Sequence, residues 1–182
     1  MNKLWAPWRS RYIHRQKKSG CIFCQIFKSD NDRGHFILTR YRHCFAVLNT
    51  FPYNNGHTLI VSNRHVESLE KLKTAEILDM HKLLLFTKKS LKKTLKPNGF
   101  NIGINIGENA GAGIKDHLHI HIVPRWIGDT NFMPIIAGTK IISQSLEELY
   151  RLLVKNKDLN SLSNAKDRVA DKHRKVKKKG LK

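Results

Sequence analysis

Residues 117–123 read His-Leu-His-Ile-His-Ile-Val, a strict alternation of imidazole and aliphatic side chains. A period of two fits a β-strand and excludes a helix. Side chains two apart on a strand leave the same face, roughly 6.6–7 Å from each other. His117, His119 and His121 then share one face, and Leu118, Ile120 and Ile122 point into a core. This requires a sheet with one apolar face, the other being lined with polar groups or open to a ligand. Three jobs suit such a row: metal binding, nucleophilic catalysis by an imidazole nitrogen, and structural hydrogen bonding.

The neighbouring segments supply more strands. "HFILTRY" (35–41), "CFAVLNT" (44–50) and "HTLIVS" (57–62) carry strand composition, with a turn near Arg42 and loop chemistry in "FPYNNG", where Pro52 and Gly56 punctuate Asn54 and Asn55. Residues 62–96 read as helical, with Ile77, Leu84, Leu85, Leu91 and Leu95 near helical spacing, Thr74 as N-cap, and Pro97, Asn98 and Gly99 as the stop. "GFNIGINIG" (99–107) alternates again, and its second face holds only Asn and Gly. A late helix begins in "SQSLEELYRLLVKN", where Ser145 and Glu148 are spaced as a capping box. Hairpin-like strands interrupted by one long helix predict an α+β fold on a mostly antiparallel sheet, with a C-terminal helix.

The 182 residues divide into an arm (1–20) carrying Trp5, Pro7, Trp8 and Tyr12, a domain (21–155), and a basic tail (156–182). From Lys155 onward there are 11 Lys or Arg against 3 Asp, so the end of the chain is strongly cationic within a formal net charge of +20. Non-specific nucleic-acid contact is one use of such a tail and simple solvation is the other. No aromatic residue interrupts it to stack on bases. The longest apolar run, "ILDMHKLLLF" (77–86), is short and contains Asp79, His81 and Lys82, so no membrane span is expected. No apolar secretion-signal core follows the N-terminus, and the expected compartment is the cytoplasm. An odd count of three cysteines argues against a disulfide framework.

Two of those cysteines form "CIFC". Thiolates at this spacing hold one zinc if two further donors arrive. Cys21 and Cys24 with His65 and His117 are the candidate set, which leaves the middle histidine, His119, facing a substrate. "NIGENAGAGIKD" runs directly into the histidine row. Its glycines allow backbone N–H groups to approach phosphate oxygens, and Asn105 can donate its amide there. Imidazole beside a phosphate cradle suggests attack of a neutral histidine nitrogen on phosphorus.

These residues resemble the histidine-triad (HIT) family of nucleotide hydrolases and transferases, whose pattern His-φ-His-φ-His-φ-φ is met at 117–123. "CIFC", "LNTFPYNNGHTLIVSNRH", "INIGENAGAG" and the triad follow in the family's order, over about residues 20 to 126. "WAPWR" and "HLHIHIVPRWIGDTNFM" look closer to one branch, the bacterial diadenosine tetraphosphate phosphorylases. The resemblance implies a homodimer with a shared sheet and a purine nucleotide or dinucleotide as partner. It implies His119 as nucleophile through a nucleotidyl-histidine intermediate, with His117 completing the triad and His121 and His57 supporting the phosphates. Asn49 is placed at the ribose hydroxyls, with Asn105, Gly111, Ala112 and Gly113 beside the phosphates. In zinc-containing relatives the ligands match Cys21, Cys24, His65 and His117. Several hydrolase relatives carry Gln or Ser where this chain has "GAGIKD". The smaller loop leaves space for inorganic phosphate as co-substrate, which favours phosphorolysis to a nucleoside diphosphate and triphosphate. Hydrolysis of phosphoramidates or dinucleoside polyphosphates is the second reading, and a nucleotide- or RNA-binding module without turnover is the third.

Overall fold

The computed structural model describes residues 20–110, 113–130, 136 and 141–156. A short helix, α1 (Ile22–Lys28), precedes three strands, β1 (Ile37–Arg40), β2 (Cys44–Leu48) and β3 (Thr58–Ser62). A long helix, α2 (Thr74–Leu95), leads to β4 (Gly99–Gly103), then β5 (His119–Arg125) and α3 (Leu146–Val154). The strands form one five-stranded sheet in the order β1-β2-β3-β5-β4, and every neighbouring pair is antiparallel. The expected α+β architecture is therefore observed, with the long helix and the C-terminal helix in place. Among the described residues, no helix is long and apolar enough to cross a membrane.

The two faces of the sheet carry different cores. On one, Leu38, Ala46, Leu48, Ile60 and Ile122 pack against Met80, Leu83, Leu84 and Leu91 of α2 and Leu149 and Leu153 of α3. On the other, Ile37, Phe45, Val47, Leu59 and Val61 pack against Phe23 and Ile26 of α1. Burying each large aliphatic or aromatic side chain contributes roughly 1.5–3 kcal/mol. Register fixes the histidines on the second face: His121 pairs with Leu59 and His119 with Val61. Ile120 and Ile122 face the α2 side, as the alternation requires.

Several local expectations need correction. Residues 63–73 are not α-helix: the chain turns, forms a 3₁₀ turn at Leu69–Lys71, and enters α2 at Thr74. Lys73, not Thr74, is the N-cap, and Glu76 caps backward by accepting the Lys73 N–H at 2.8 Å. Ile77 and Leu85 are exposed, because the buried face of α2 runs through Glu76, Asp79, Met80, Leu83, Leu84, Thr87 and Leu91. β4 stops at Gly103, opposite His121, so the second half of the alternating run leaves the sheet. β5 starts at His119, and His117 lies ahead of the strand. The late helix begins as expected, with Ser145 Oγ accepting the Glu148 N–H at 3.2 Å.

Candidate functional site

The first turn of α1 places Cys21 and Cys24 beside two histidines from either side of the central strand pair, His65 just beyond β3 and His117 just before β5. Cys21 Sγ lies 3.2 Å from His117 Nδ1, Cys24 Sγ lies 3.4 Å from His65 Nδ1 and 3.6 Å from His117 Nδ1. All four donor atoms fall within 4.8 Å of one another. A tetrahedral zinc with bonds of about 2.0–2.3 Å needs donors roughly 3.3–3.8 Å apart. The tautomer also suits a metal. His117 Nε2–H donates to the Ser62 carbonyl at 2.8 Å, which leaves the Nδ1 lone pair turned toward the thiols. Burial lowers the His117 pKa and favours its neutral, ligating form. The four residues predicted from spacing are therefore brought together as one donor set.

Two residues along, the tautomers of the other histidines are fixed by their partners. His119 Nδ1 lies 2.8 Å from the His117 carbonyl, which can only accept, so Nδ1 carries the proton and Nε2 carries the lone pair. His57 is bonded the other way. The Tyr53 N–H donates to His57 Nδ1 at 3.0 Å, so the proton sits on His57 Nε2. That atom lies 2.9 Å from His121 Nδ1 and donates to it, which places the His121 proton on Nε2. His121 Nε2 is buried without a hydrogen-bond partner. Burial, then the neighbouring imidazoles, push His57 down to about 3. Burial, then His119, take His121 down to about 4. Burial lowers His119 as well. The three rings are neutral at pH 7.

His119 and His121 lie with ring centroids 4.9 Å apart. A bare nitrogen and an unsatisfied N–H donor therefore stand side by side on the same strand. A buried donor without an acceptor is costly, and a phosphoryl oxygen is an acceptor of the right kind. Opposite His121, Gly103 leaves open space: a Cβ built there meets no atom within 4 Å. The strand position paired with His121 is thus left uncovered on β4.

Of the remaining predicted residues, Asn49 contacts the histidine pair through His57. Asn49 sits at the base of the 49–57 loop, where its N–H donates to the His57 carbonyl at 2.9 Å. Its side-chain oxygen accepts the Phe51 N–H at 2.9 Å, and its amide nitrogen lies 3.2 Å from His57 Nδ1. Asn105 follows two residues after Gly103, at the end of β4. Gly113 is exposed, with open space where a Cβ would project. The next residue, Ile114, packs on the α1-side core and returns the loop to the histidine face. Gly111 and Ala112 lie outside the described residues, as do the arm to residue 19 and the tail from 157.

Sequence reasoning missed three contributors. Phe23, between the two cysteines, packs its ring on both His117 and His119, at 5.5 and 5.1 Å between centroids. Tyr53 stacks on His121. Asn54 is buried and donates to the Pro124 carbonyl and to Asp129, which pins the loop that carries Tyr53 and His57. An aromatic between two cysteines and another inside a Pro/Asn/Gly loop were the available signals.

Comparison with known proteins places this geometry among relatives. Residues 32–126 match the HIT domain family. The AP-4-A phosphorylase of Mycobacterium tuberculosis is 38% identical over 164 residues, covering 84% of this chain and 83% of that protein. Among solved structures, a Zn-bound histidine triad family protein from Mycobacterium smegmatis is similar with a TM-score of 0.62 and 26% identity, over 80% of this chain and 97% of that one. A histidine triad nucleotide-binding protein from Sulfolobus tokodaii gives a TM-score of 0.60 at 29% identity, over 80% and 94%.

Proposed function

The chain belongs to the HIT domain family, and on that footing we propose that it splits dinucleoside polyphosphates with inorganic phosphate, through a nucleotidyl group carried on His119. The observation that carries this reading is the pairing of His119 Nε2, left with its lone pair by the Nδ1 bond, with the unpartnered His121 Nε2–H beside it. The 38% identity to a phosphorylase supports the choice of substrate and acceptor.

In the first half-reaction, His119 Nε2 attacks the α-phosphorus. A P–N bond forms, the bridging P–O bond breaks, and the nucleoside triphosphate leaves with the bonding pair. The ring becomes positive but keeps its Nδ1 proton, whose bond to the His117 carbonyl strengthens as charge develops. His121 Nε2–H stabilises the phosphoryl oxygens during the transfer. In the second half-reaction an oxygen of inorganic phosphate attacks the same phosphorus. The P–N bond breaks, neutral His119 is regenerated, and a nucleoside diphosphate departs. Asn105 and Gly113 serve the phosphate path, and Asn49 serves the ribose end.

Cys21, Cys24, His65 and His117 fit a zinc ion by donor chemistry, spacing and tautomer. Bound there, the metal would supply structural cross-linking of α1 to the sheet. The assembly is a homodimer. Among the described residues, the outer edge of β4 pairs with no strand, Ile102 on it is 45% exposed, and Ile77, Leu78 and Leu85 of α2 are exposed as well. The cationic residues 156–182 suit either non-specific, salt-sensitive contact with nucleic acid or simple solvation.

The test is product analysis with diadenosine tetraphosphate and isotopically labelled phosphate. Label recovered in ADP, with ATP as the other product, supports phosphorolysis; unlabelled AMP overturns it in favour of water as acceptor. His119→Gly is expected to bind nucleotide and give no product.

A further inference from the structure

Tyr53 is placed where a core residue would not be. Its side chain belongs to neither apolar cluster and the residue is 53% exposed. Its ring contacts are with the two histidines of the relay. It lies parallel to His121, 9° between planes and 5.6 Å between centroids, and tilts against His57 at 4.5 Å. Its backbone N–H is the donor that sets the His57 tautomer. The following residue, Asn54, is buried and doubly bonded to Pro124 and Asp129, so the backbone at 53 is held from one side. On the other, the loop closes through the Asn49 N–H bond to His57.

We infer that Tyr53 is a positioning residue for the phosphoryl site: its ring, stacked flat on His121, holds that imidazole in the orientation that accepts from His57 and presents Nε2–H to the ligand. The physical need is specific. A neutral imidazole turned over by half a rotation about its last side-chain bond exchanges the places of its nitrogens with carbon atoms. His121 would then lose the 2.9 Å bond from His57, and its donor would point away from the acceptor. His57 contacts His121 at one edge, whereas Tyr53 lies parallel to its plane in an offset stack, so the ring adds a constraint that the hydrogen bond alone does not. The phenol hydroxyl plays no part in this, and a phenyl ring would serve.

The inference rests on the proposed reaction for its kinetic consequence, and on the tautomers alone for its spectroscopic one. Full-length protein carrying ¹⁵N-histidine is examined by long-range ¹H–¹⁵N correlation at neutral pH, beside steady-state kinetics with diadenosine tetraphosphate and phosphate. Wild type is expected to show His57 and His121 as Nε2–H tautomers. Tyr53→Ala is expected to mix the His121 tautomers while leaving the remote His43 signals in place, and to lower kcat about tenfold with KM changed by less than about twofold. Tyr53→Phe is expected to restore both readouts. Unmixed tautomers with an unchanged kcat in Tyr53→Ala would overturn the inference, and so would a Tyr53→Phe enzyme behaving like Tyr53→Ala. Tautomers that respond in a wild-type protein unable to turn the substrate over would uphold the role of Tyr53 and sink the assigned reaction.

Discussion

Asn54→Ala isolates what holds the 49–57 loop against the sheet. The Asn54 amide donates to the Pro124 carbonyl at 3.0 Å and to Asp129 Oδ2 at 2.8 Å from a buried position. A neutral hydrogen bond is worth about 0.5–1.5 kcal/mol and one to a charged acceptor about 1.5–3 kcal/mol. Asp129 keeps Arg125 Nε at 2.6 Å and the Trp126 N–H at 3.1 Å, so its carboxylate is not stranded when the amide goes. The expected loss is therefore about 2–4 kcal/mol, or roughly 5–15 °C in Tm for a domain of this size. Urea unfolding followed by circular dichroism measures it. The same variant should lose kcat, because the loop delivers both the Tyr53 N–H and His57. Asn54→Asp is the sharper companion: it keeps the shape but sets a second carboxylate against Asp129, and it should destabilise more than alanine. A loss below about 1 kcal/mol in the alanine variant would refute the reasoning, since water would then be replacing both bonds.

Acid should unfold the protein through the histidine relay. His57 and His121 have folded pKa values of about 3 and about 4 against an ordinary 6.5, so their neutral forms favour the fold fully above pH 6.5, and that contribution is lost as pH falls toward 4. Unfolding at pH 5 should take up about two protons through this pair, seen as a drop in the urea midpoint between pH 7 and 5; a flat midpoint would contradict the assignment. Cys24→Ser should lower bound zinc from about one ion per chain to near none by elemental analysis, and retention of the ion would remove Cys24 from the donor set. Ile102→Lys should convert dimer to monomer in sedimentation velocity, and an unchanged sedimentation coefficient would move the interface away from the β4 edge.

The period-two run at 117–123 was enough to specify a two-faced strand, and the register puts His119 and His121 on the face opposite Ile120 and Ile122. The metal donors were legible because so few residue types ligate zinc, and the chain offers just such types at a CxxC and two strand ends. The phase of α2 was not legible. Its buried face includes Glu76, Asp79, Thr87 and Ser90, which a count of apolar residues passes over in favour of Ile77 and Leu85. Glu76 is buried because Arg64 binds both of its carboxylate oxygens, at 2.9 and 2.7 Å, and holds its pKa down to about 2. That pairing also draws the chain after β3 into a turn where a helix was expected. Asn54 reads only as loop chemistry and Tyr53 carries no signal of its own, because an aromatic stacked on histidine and a buried asparagine leave no periodic trace.

What the sequence pattern could not carry is the difference between His119 and His121. They are the same residue type, two positions apart on one strand and one face, yet Nε2 is bare on the first and protonated on the second. The difference originates in two backbone groups of opposite sense. The His117 carbonyl accepts from His119 and so forces its proton onto Nδ1. The Tyr53 N–H donates to His57, and each ring then passes the constraint to the next until it ends as the His121 Nε2–H. Since neither backbone group titrates, the pattern persists across neutral pH as long as the rings remain uncharged, which their burial secures. A nucleophile and a phosphate donor can therefore be made from identical side chains without a carboxylate to orient either, provided that the 49–57 loop and the turn before β5 hold their places.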